Sequence, residues 1–131
     1  LKADWIKKGA FYGHIGGWED EYKVVTKADK IVCDRWETVK HRTQTVSRCF
    51  KEGLITDDDI YCDITDLVSG KKKGRENDDE FIYFDAVGLS YIDVTLANAM
   101  YEKAIAAGYG KKMTMQENCI FEKDLTGKII V

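Results

Sequence analysis

The chain has 131 residues, which suits a single domain or part of a larger one. Its 20 Lys and Arg residues are balanced by 23 Asp and Glu residues, which argues against a nucleic-acid-binding surface as the main feature. No apolar stretch approaches the roughly 18 residues that a membrane span needs, and the N-terminus lacks the apolar centre of a signal peptide. We therefore expect a cytoplasmic protein with neither a membrane nor a nucleic acid as partner.

The first half of the chain predicts two strands and one helix. Residues 10–15 resemble a strand that runs into a Gly-Gly pair. Residues 30–34 form a short apolar run bounded by charges, which is typical of a buried parallel strand. Apolar side chains near helical spacing then predict one helix over residues 36–52, with a glycine just past its end.

The second half predicts one further strand and the longest helix. Residues 60–69 suggest a short helix or an irregular segment, and residues 70–79 form a polar loop. Residues 81–87 are the clearest strand of the chain. Residues 90–107 are the clearest helix, because apolar side chains repeat along one wide face. The tail that follows is predicted to be extended.

The alternation of strands and helices predicts an α/β fold with parallel strands. Three strands are few for such a sheet, and the chain contains no Gly-x-Gly-x-x-Gly sequence. We therefore expect the second half of a Rossmann-type NAD(P)-binding domain, followed by a C-terminal helix and an extended tail. Half of such a domain leaves a sheet edge unpaired, so the piece is expected to dimerise or to be one segment of a longer chain.

The cysteines do not suggest a metal centre. They include no Cys-x-x-Cys pair and no accompanying histidine motif: Cys33, Cys49, Cys62 and Cys119. No metal is therefore expected. Cys33 lies in an apolar run and Cys49 on a helical face, which favours buried free thiols.

Two segments that follow strands are candidate ligand contacts. Gly16 and Gly17 follow the first strand, at the edge where α/β sheets bind ligands, and glycine lets a planar ring approach the backbone. A plain tight turn is the alternative. In FDAVGLS, the small Ala86 and Gly88 precede Ser90 at a helix start, which resembles an anion or cofactor site. A close-packed turn between strand and helix is the alternative there.

Several charged or polar residues permit two interpretations. His14 either faces the ligand edge as a proton donor or lies between the sheet and a helix. His41 is expected on the surface, and the basic run 71–75 in a solvated loop, because acidic residues follow it at once. Asp85, inside an apolar strand, has no explanation at the level of sequence.

Residues 66–104 resemble the C-terminal region of the ornithine cyclodeaminase/mu-crystallin family. The positions that agree in order and spacing are Leu67, Gly70, Gly74, Arg75, Asp79, Glu80, Phe84, Val87, Gly88, Asp93, Tyr101 and Glu102. The upstream sequence DWIKKGAFYGHIGG resembles the family's entry to the nicotinamide site. This resemblance implies a Rossmann domain that binds NAD or NADP, a substrate that is an amino acid, amine or cyclic imine, and a homodimer.

The resemblance also implies roles for individual residues. Gly17, Trp18 and Glu19 are expected to line the nicotinamide side, Ala86 to approach the cofactor, and Val87 to touch the substrate. By the same resemblance, the part of the chain up to residue 110 belongs to the NAD(P)-binding domain. The tail, residues 111–131, is expected to pack on a substrate or dimerisation domain or on a partner.

Trp18 departs from the pattern of the family. In cyclodeaminases the Gly-Gly is followed by an aspartate that acts in proton transfer, and an indole N–H can only donate a hydrogen bond. Ornithine cyclisation is therefore not expected, no catalytic residue is assigned, and Asp20 is the candidate acid. Trp18 could instead stack on the nicotinamide or on an aromatic substrate. Two functions remain open, an oxidoreductase acting on a C–N bond and a non-catalytic NAD(P)-binding or regulatory subunit.

Overall fold

A computed structural model describes residues 1–114, and the greater part of the predicted extended tail lies outside these residues. The strands are β1 (Phe11–His14), β2 (Lys30–Cys33), β3 (Ile60–Asp63) and β4 (Ile82–Asp85). The α-helices are α1 (Tyr22–Thr26), α2 (Trp36–Val39), α3 (Thr45–Lys51), α4 (Ile64–Val68) and α5 (Ser90–Ala106). Two short 3-10 turns lie at Ala3–Trp5 and Asp57–Asp59.

The four strands form one sheet in the order β1-β4-β2-β3, and every neighbouring pair runs parallel. This arrangement confirms the predicted α/β fold with parallel strands. The central strand β2 is buried along its whole length, as expected where helices cover both faces of a parallel sheet.

The prediction of three strands is wrong, because residues 60–63 form the edge strand β3 rather than a helix or an irregular segment. Only Cys62 of this strand is buried, since β3 has a neighbour on one side alone. An edge strand with one buried side chain carries little of the apolar signal by which a strand is recognised.

The predicted helix over residues 36–52 is interrupted, and α2 and α3 are separate helices. Side chains of α3 donate further hydrogen bonds to carbonyls at the end of α2 and in the connection. Ser47 Oγ donates to the Val39 carbonyl (2.6 Å), and Lys51 Nζ donates to the Arg42 carbonyl (2.6 Å). The break is therefore stabilised by polar residues that the apolar pattern does not register.

The two faces of the sheet carry separate apolar clusters. Ile31 and Tyr83 belong to the larger cluster, which also contains buried side chains of α1, α2 and α3. Val32 and Ile82 alternate with them and belong to a smaller cluster with Leu67 of α4. The larger cluster covers the face on which the side chains of the candidate site are buried.

The cysteines of the described residues are free and buried at positions 33, 49 and 62. This confirms the buried thiols predicted for Cys33 and Cys49. Burial raises the pKa of the Cys49 thiol to about 11 and also raises that of Cys33. Both thiols therefore stay protonated at neutral pH and serve as packing groups.

The chain divides into two units, residues 1–90 and the part from Tyr91 onward. The described part of the second unit contains α5, whose existence and bounds agree with the predicted helix. No residue of α5 is buried, and its large apolar side chains are exposed: Leu96, Met100, Tyr101 and Ile105. Across residues 1–114, the structure contains no helix with the length and apolar character of a membrane span.

Candidate functional site

The loops that follow β1 and β4 leave the sheet side by side. His14 and Asp85, the last residues of the two strands, are partners in the parallel register. The Ala86 N–H then donates to the His14 carbonyl at 3.0 Å, which extends the pairing by one step. Ligands of open α/β sheets bind outside the carboxyl ends of the strands, so this edge is the candidate site.

The loop after β1 presents Gly17 and Trp18 at the surface. No atom lies within 4 Å of the point where a Cβ on Gly17 would stand, so the backbone is open there. The Trp18 side chain is 63% exposed, and one face of its ring lies 4.4 Å from the Arg48 guanidinium. It also stacks on Tyr22, with ring centroids 6.4 Å apart. The indole is thus held against side chains of α1 and α3, although most of it remains accessible.

The two acids that follow Trp18 lie in opposite environments. Glu19 is exposed, and its Oε1 occupies the place where a Cβ on Gly16 would stand, at 1.4 Å. Asp20 is only 5% exposed. Glu19 is therefore the carboxylate of this loop that a ligand at the edge can reach, whereas Asp20 lies inside the fold.

Asp20 accepts hydrogen bonds from two hydroxyl groups of the interior. Thr45 Oγ1 donates to Asp20 Oδ1, and the Tyr83 hydroxyl donates to Asp20 Oδ2 at 2.9 Å. Burial and the Asp20 carboxylate raise the pKa of Tyr83, so this phenol stays protonated and remains a donor. The Asp20 carboxylate thus links the β1 loop to α3 and β4, and its role in this arrangement is to hold the fold together.

His14 and Asp85 form a fully buried pair. His14 Nδ1 donates to Asp85 Oδ1 at 2.5 Å, and both side chains have no exposed surface. His14 Nε2 lies 3.4 Å from Asp20 Oδ1 without forming a hydrogen bond, and Asp85 Oδ2 also has no partner. The structure thus gives His14 the interior position rather than the exposed one, and it explains Asp85 as the partner of this histidine.

The ionisation of the pair reflects opposing effects. Burial lowers the pKa of His14, but the hydrogen bond and charge of Asp85, together with Asp20, outweigh it and raise that pKa overall. Burial raises the pKa of Asp85, and the neighbouring His14 only partly offsets this. Both groups therefore bind protons more tightly in the folded chain than in the unfolded one.

The loop after β4 is held by a carboxylate from the next strand of the sheet. Asp34, directly after β2, accepts hydrogen bonds through Oδ2 from the Val87 and Gly88 N–H groups, each at 2.9 Å. Ala86 and Val87 are half-buried, and Gly88 has φ +85°, which favours glycine. The structure therefore brings Ala86 and Val87 to the same edge as Gly17, Trp18 and Glu19.

The analysis of the sequence missed two features of this edge, the anchoring of the β4 loop by Asp34 and the pairing of His14 with Asp85. The sequence did contain a signal for such contacts, because three aspartates, Asp34, Asp63 and Asp85, each end or directly follow a strand. Among the described residues, no group of three or more His, Cys, Asp or Glu side chains is arranged to hold a metal ion.

Comparisons with known proteins give consistent results. The profile of the ornithine cyclodeaminase/mu-crystallin family matches residues 1–108. The N-((2S)-2-amino-2-carboxyethyl)-L-glutamate dehydrogenase of Staphylococcus aureus is 30% identical over 115 residues, which cover 88% of this chain and 34% of that protein. Delta(1)-pyrroline-2-carboxylate reductase of Thermococcus litoralis, in complex with NADH and L-proline, superposes with a TM-score of 0.78 at 33% identity, over 86% of this chain and 36% of that chain.

An archaeal alanine dehydrogenase dimer with bound NAD superposes with a TM-score of 0.74 at 31% identity, over 88% of this chain and 37% of that chain. The chain thus spans about a third of the length of these relatives. Because the family profile covers residues 1–108 of a 131-residue chain, as the sequence resemblance predicted, the chain belongs to the ornithine cyclodeaminase/mu-crystallin family.

Proposed function

We propose that the protein to which this chain belongs is an NAD(P)-dependent oxidoreductase that acts on a C–N bond of an amino acid, an amine or a cyclic imine. The observation that carries the proposal is the pair of adjacent loops at the carboxyl edge of a parallel sheet. It is supported by the structural match to a reductase in complex with NADH and L-proline. Because the chain spans about a third of that protein, the activity is proposed for the whole protein.

The residues at the edge suit a planar cofactor ring. Gly17 offers open backbone, Trp18 offers an accessible aromatic face, and Ala86 has only a methyl side chain. We propose that these residues and Glu19 contact the cofactor and that Val87 contacts the substrate. When bound, the nicotinamide supplies or accepts the hydride at the substrate carbon. In this proposal, the residues of this chain orient the reactants and transfer a proton.

We propose Glu19 as the group that transfers a proton to or from the substrate nitrogen, because its carboxylate is accessible at the edge. Asp20, the candidate from sequence, is 5% exposed and accepts hydrogen bonds through both oxygens. A proton-transfer group must come within hydrogen-bond reach of the substrate, which favours Glu19. In this proposal Asp20 holds the loop in place.

The test of the function starts with cofactor binding by the complete protein. Titration with NADH and with NADPH, followed by fluorescence, is expected to give saturable binding of at least one of them. Absence of binding at millimolar concentrations of both would overturn the proposed function. A panel of amino acids, amines and cyclic imines then identifies the substrate class by absorbance of the reduced cofactor.

The proton-transfer role is tested with Glu19→Gln once a substrate is found. Removal of a general acid or base lowers the rate by about 100-fold or more, so kcat is expected to fall by about that factor while NADH still binds. Asp58→Asn is the matched control, because Asp58 is an exposed acid in the turn before β3, at the other end of the sheet. A Glu19→Gln variant with unchanged kcat at every pH would exclude the role.

A second function, a non-catalytic NAD(P)-binding or regulatory subunit, is favoured by one observation. Trp18 occupies the position after Gly-Gly, and the acid that the sequence suggested as its replacement is buried. This alternative predicts tight cofactor binding without turnover across the substrate panel. Any turnover that is lost in Glu19→Gln but kept in Asp58→Asn would argue against it.

We propose that the protein is a homodimer in the cytoplasm. Support for a dimer comes from the archaeal alanine dehydrogenase neighbour, which is a dimer, and from the exposed apolar side chains of α5. Support for the location comes from the free thiols at residues 33, 49 and 62, since reducing compartments keep cysteines unpaired. In this proposal residues 1–110 belong to the NAD(P)-binding domain, and residues 111–131 pack on a substrate or dimerisation domain or on a partner.

A further inference from the structure

The loop after β4 contains no side chain that can fix its own conformation. Ala86, Val87 and Gly88 carry apolar side chains or none, and Gly88 adopts a backbone conformation with φ +85°. Ala86 is tied to β1 through its N–H, but the two residues that follow point their N–H groups away from the sheet ladder. The conformation of the loop therefore depends on an acceptor from elsewhere.

Asp34 supplies that acceptor. Asp34 is 7% exposed, and its carboxylate accepts three backbone hydrogen bonds, from Arg35 (2.7 Å) to Oδ1 and from Val87 and Gly88 (2.9 Å each) to Oδ2. Hydrogen bonds to an ionised acceptor are about twice as strong as neutral ones. Two consecutive N–H groups on one oxygen also fix the direction of the peptide planes on either side of Val87.

We infer that Asp34 is a positioning residue that sets the Ala86–Val87–Gly88 backbone in the conformation that meets cofactor and substrate. The inference rests on the proposed function, because it assumes that Ala86 and Val87 make those contacts. A loop ordered before binding loses less conformational entropy when the ligand arrives, which strengthens binding without a new contact. Asp34 itself is too deeply buried to touch the ligand.

Asp63 provides a matched control for a purely structural role. It also ends a strand of the same sheet, and its Oδ1 accepts a backbone hydrogen bond from Trp36 at 2.7 Å. It lies on the edge strand β3, two strands away from β4. Loss of its carboxylate is expected to weaken the fold without disturbing either loop of the candidate site.

The experiment compares NADH binding by the complete protein and by Asp34→Ala, Asp34→Asn, Asp63→Ala and Asp63→Asn. Asp34→Ala is expected to raise the Kd for NADH by about tenfold, and Asp34→Asn by less, because the amide oxygen still accepts. Both Asp63 variants are expected to keep a Kd for NADH within about twofold of wild type. Their loss of thermal stability is expected to be similar to that of the Asp34 variants. Hydrogen exchange of residues 86–88 is expected to accelerate only in the Asp34 variants.

A second pair of variants covers the case in which Asp34→Ala does not fold. Gly88→Ala strains the loop, because alanine disfavours φ +85°, but it keeps the Asp34 side chain in place. No atom lies within 4 Å of the new Cβ, so the substitution causes no clash. Gly53→Ala has the same features at φ +73° after α3 and serves as its control. We expect weaker NADH binding for Gly88→Ala alone.

Two results would overturn the inference while leaving the proposed function intact. One is wild-type NADH affinity in the Asp34→Asn and Gly88→Ala variants. The other is an equal loss of affinity in the Asp34 and Asp63 variants, which would show a general effect of stability. Failure of the wild-type protein to bind NADH or NADPH would instead overturn the proposed function, and the inference with it.

Discussion

The two ends of the sheet bury charged side chains in different ways. At the amino-terminal end, Lys30 is 7% exposed and donates to the Gly74 carbonyl (2.7 Å) and to Glu76 (2.8 Å), with Glu80 3.3 Å away. Its ammonium group also lies 4.8 Å from the centroid of the Tyr61 ring. One cation thus holds the loop before β4 through acids that are partly in solvent.

At the carboxyl-terminal end, the buried carboxylates accept hydrogen bonds from groups other than lysine, and only Asp85 Oδ2 lacks a partner. Asp20 accepts from hydroxyl groups, Asp34 from backbone N–H groups, and Asp85 from the imidazole of His14. The amino-terminal end thus pairs a buried lysine with partly exposed acids, whereas the carboxyl-terminal end turns its carboxylates inward. On the outer side of that end lie small residues, Trp18 and Glu19, and we propose this surface as the ligand site.

The largest effect is expected from breaking the buried pair at the carboxyl-terminal end. His14→Ala leaves the Asp85 carboxylate without its donor in a site that has no exposed surface. Removing one partner of a buried pair typically costs about 3–5 kcal/mol of unfolding free energy. Urea unfolding followed by tryptophan fluorescence measures this loss.

The double variant His14→Leu/Asp85→Val is the control for this prediction. Replacing both partners with apolar side chains removes the unpaired charge, so most of the stability is expected to return. A double variant as unstable as His14→Ala would mean that packing, rather than pairing, makes the site sensitive.

A smaller effect is expected at the amino-terminal end. Lys30→Met keeps the apolar stem but removes the donor to Gly74 and Glu76, so we expect a loss of about 1–3 kcal/mol in urea unfolding. Lys8→Met is the control, because the Lys8–Asp79 pair contacts the same loop with side chains that are 74% and 66% exposed. Surface pairs of this kind contribute little, so no measurable change is expected. Equal losses in the two variants would contradict the importance of burial.

The smallest effect is the dependence of stability on pH. The raised pKa of His14 means that its contribution is fully present below the unfolded value of 6.5 and is lost as pH rises through the folded pKa. The raised pKa of Asp85 has the same effect, because its contribution to stability is also lost as pH rises above the unfolded value of 3.8. Stability is therefore expected to fall as pH rises from about 6 to about 7.5, and the measured window ends there because unfolded thiols titrate near pH 8.5.

The measurement is urea unfolding across that range in wild type and in the His14→Leu/Asp85→Val variant. The double variant lacks both groups and is expected to lose the slope that they cause, whereas Lys30→Met is expected to keep it. The acidic groups that face His14 also include Asp20 and Glu19. Identical slopes in wild type and the double variant would exclude the pair as the source.

The sequence predicted the regular elements where the apolar pattern was strong. The strands at residues 10–15, 30–34 and 81–87 and the helix at 90–107 agree with the structure within a few residues. The pattern failed at β3, which has little buried surface, and at the break after Val39, which polar side chains of α3 stabilise. Apolar periodicity reports burial, so it misses elements whose stability comes from hydrogen bonds.

The candidate site was predicted in part. Through the family resemblance, the sequence predicted cofactor contacts at Gly17, Trp18, Glu19 and Ala86. The loops that carry these residues follow β1 and β4, which lie side by side. It also proposed Asp20 as the acid, whereas the structure buries that side chain. Glu19 and Asp20 are consecutive residues in a loop without periodicity, so no pattern indicates which one points outward.

The sequence by itself determined the fold class, the family and the segments that end at the edge of the candidate site, because these follow from local order and composition. Only the tertiary structure decided that His14 pairs with Asp85, 71 residues away, and that Asp34 binds Val87, 53 residues away. Strand order and register bring these groups together. A buried carboxylate is stable only where such distant donors meet it, so its role is a property of the folded chain.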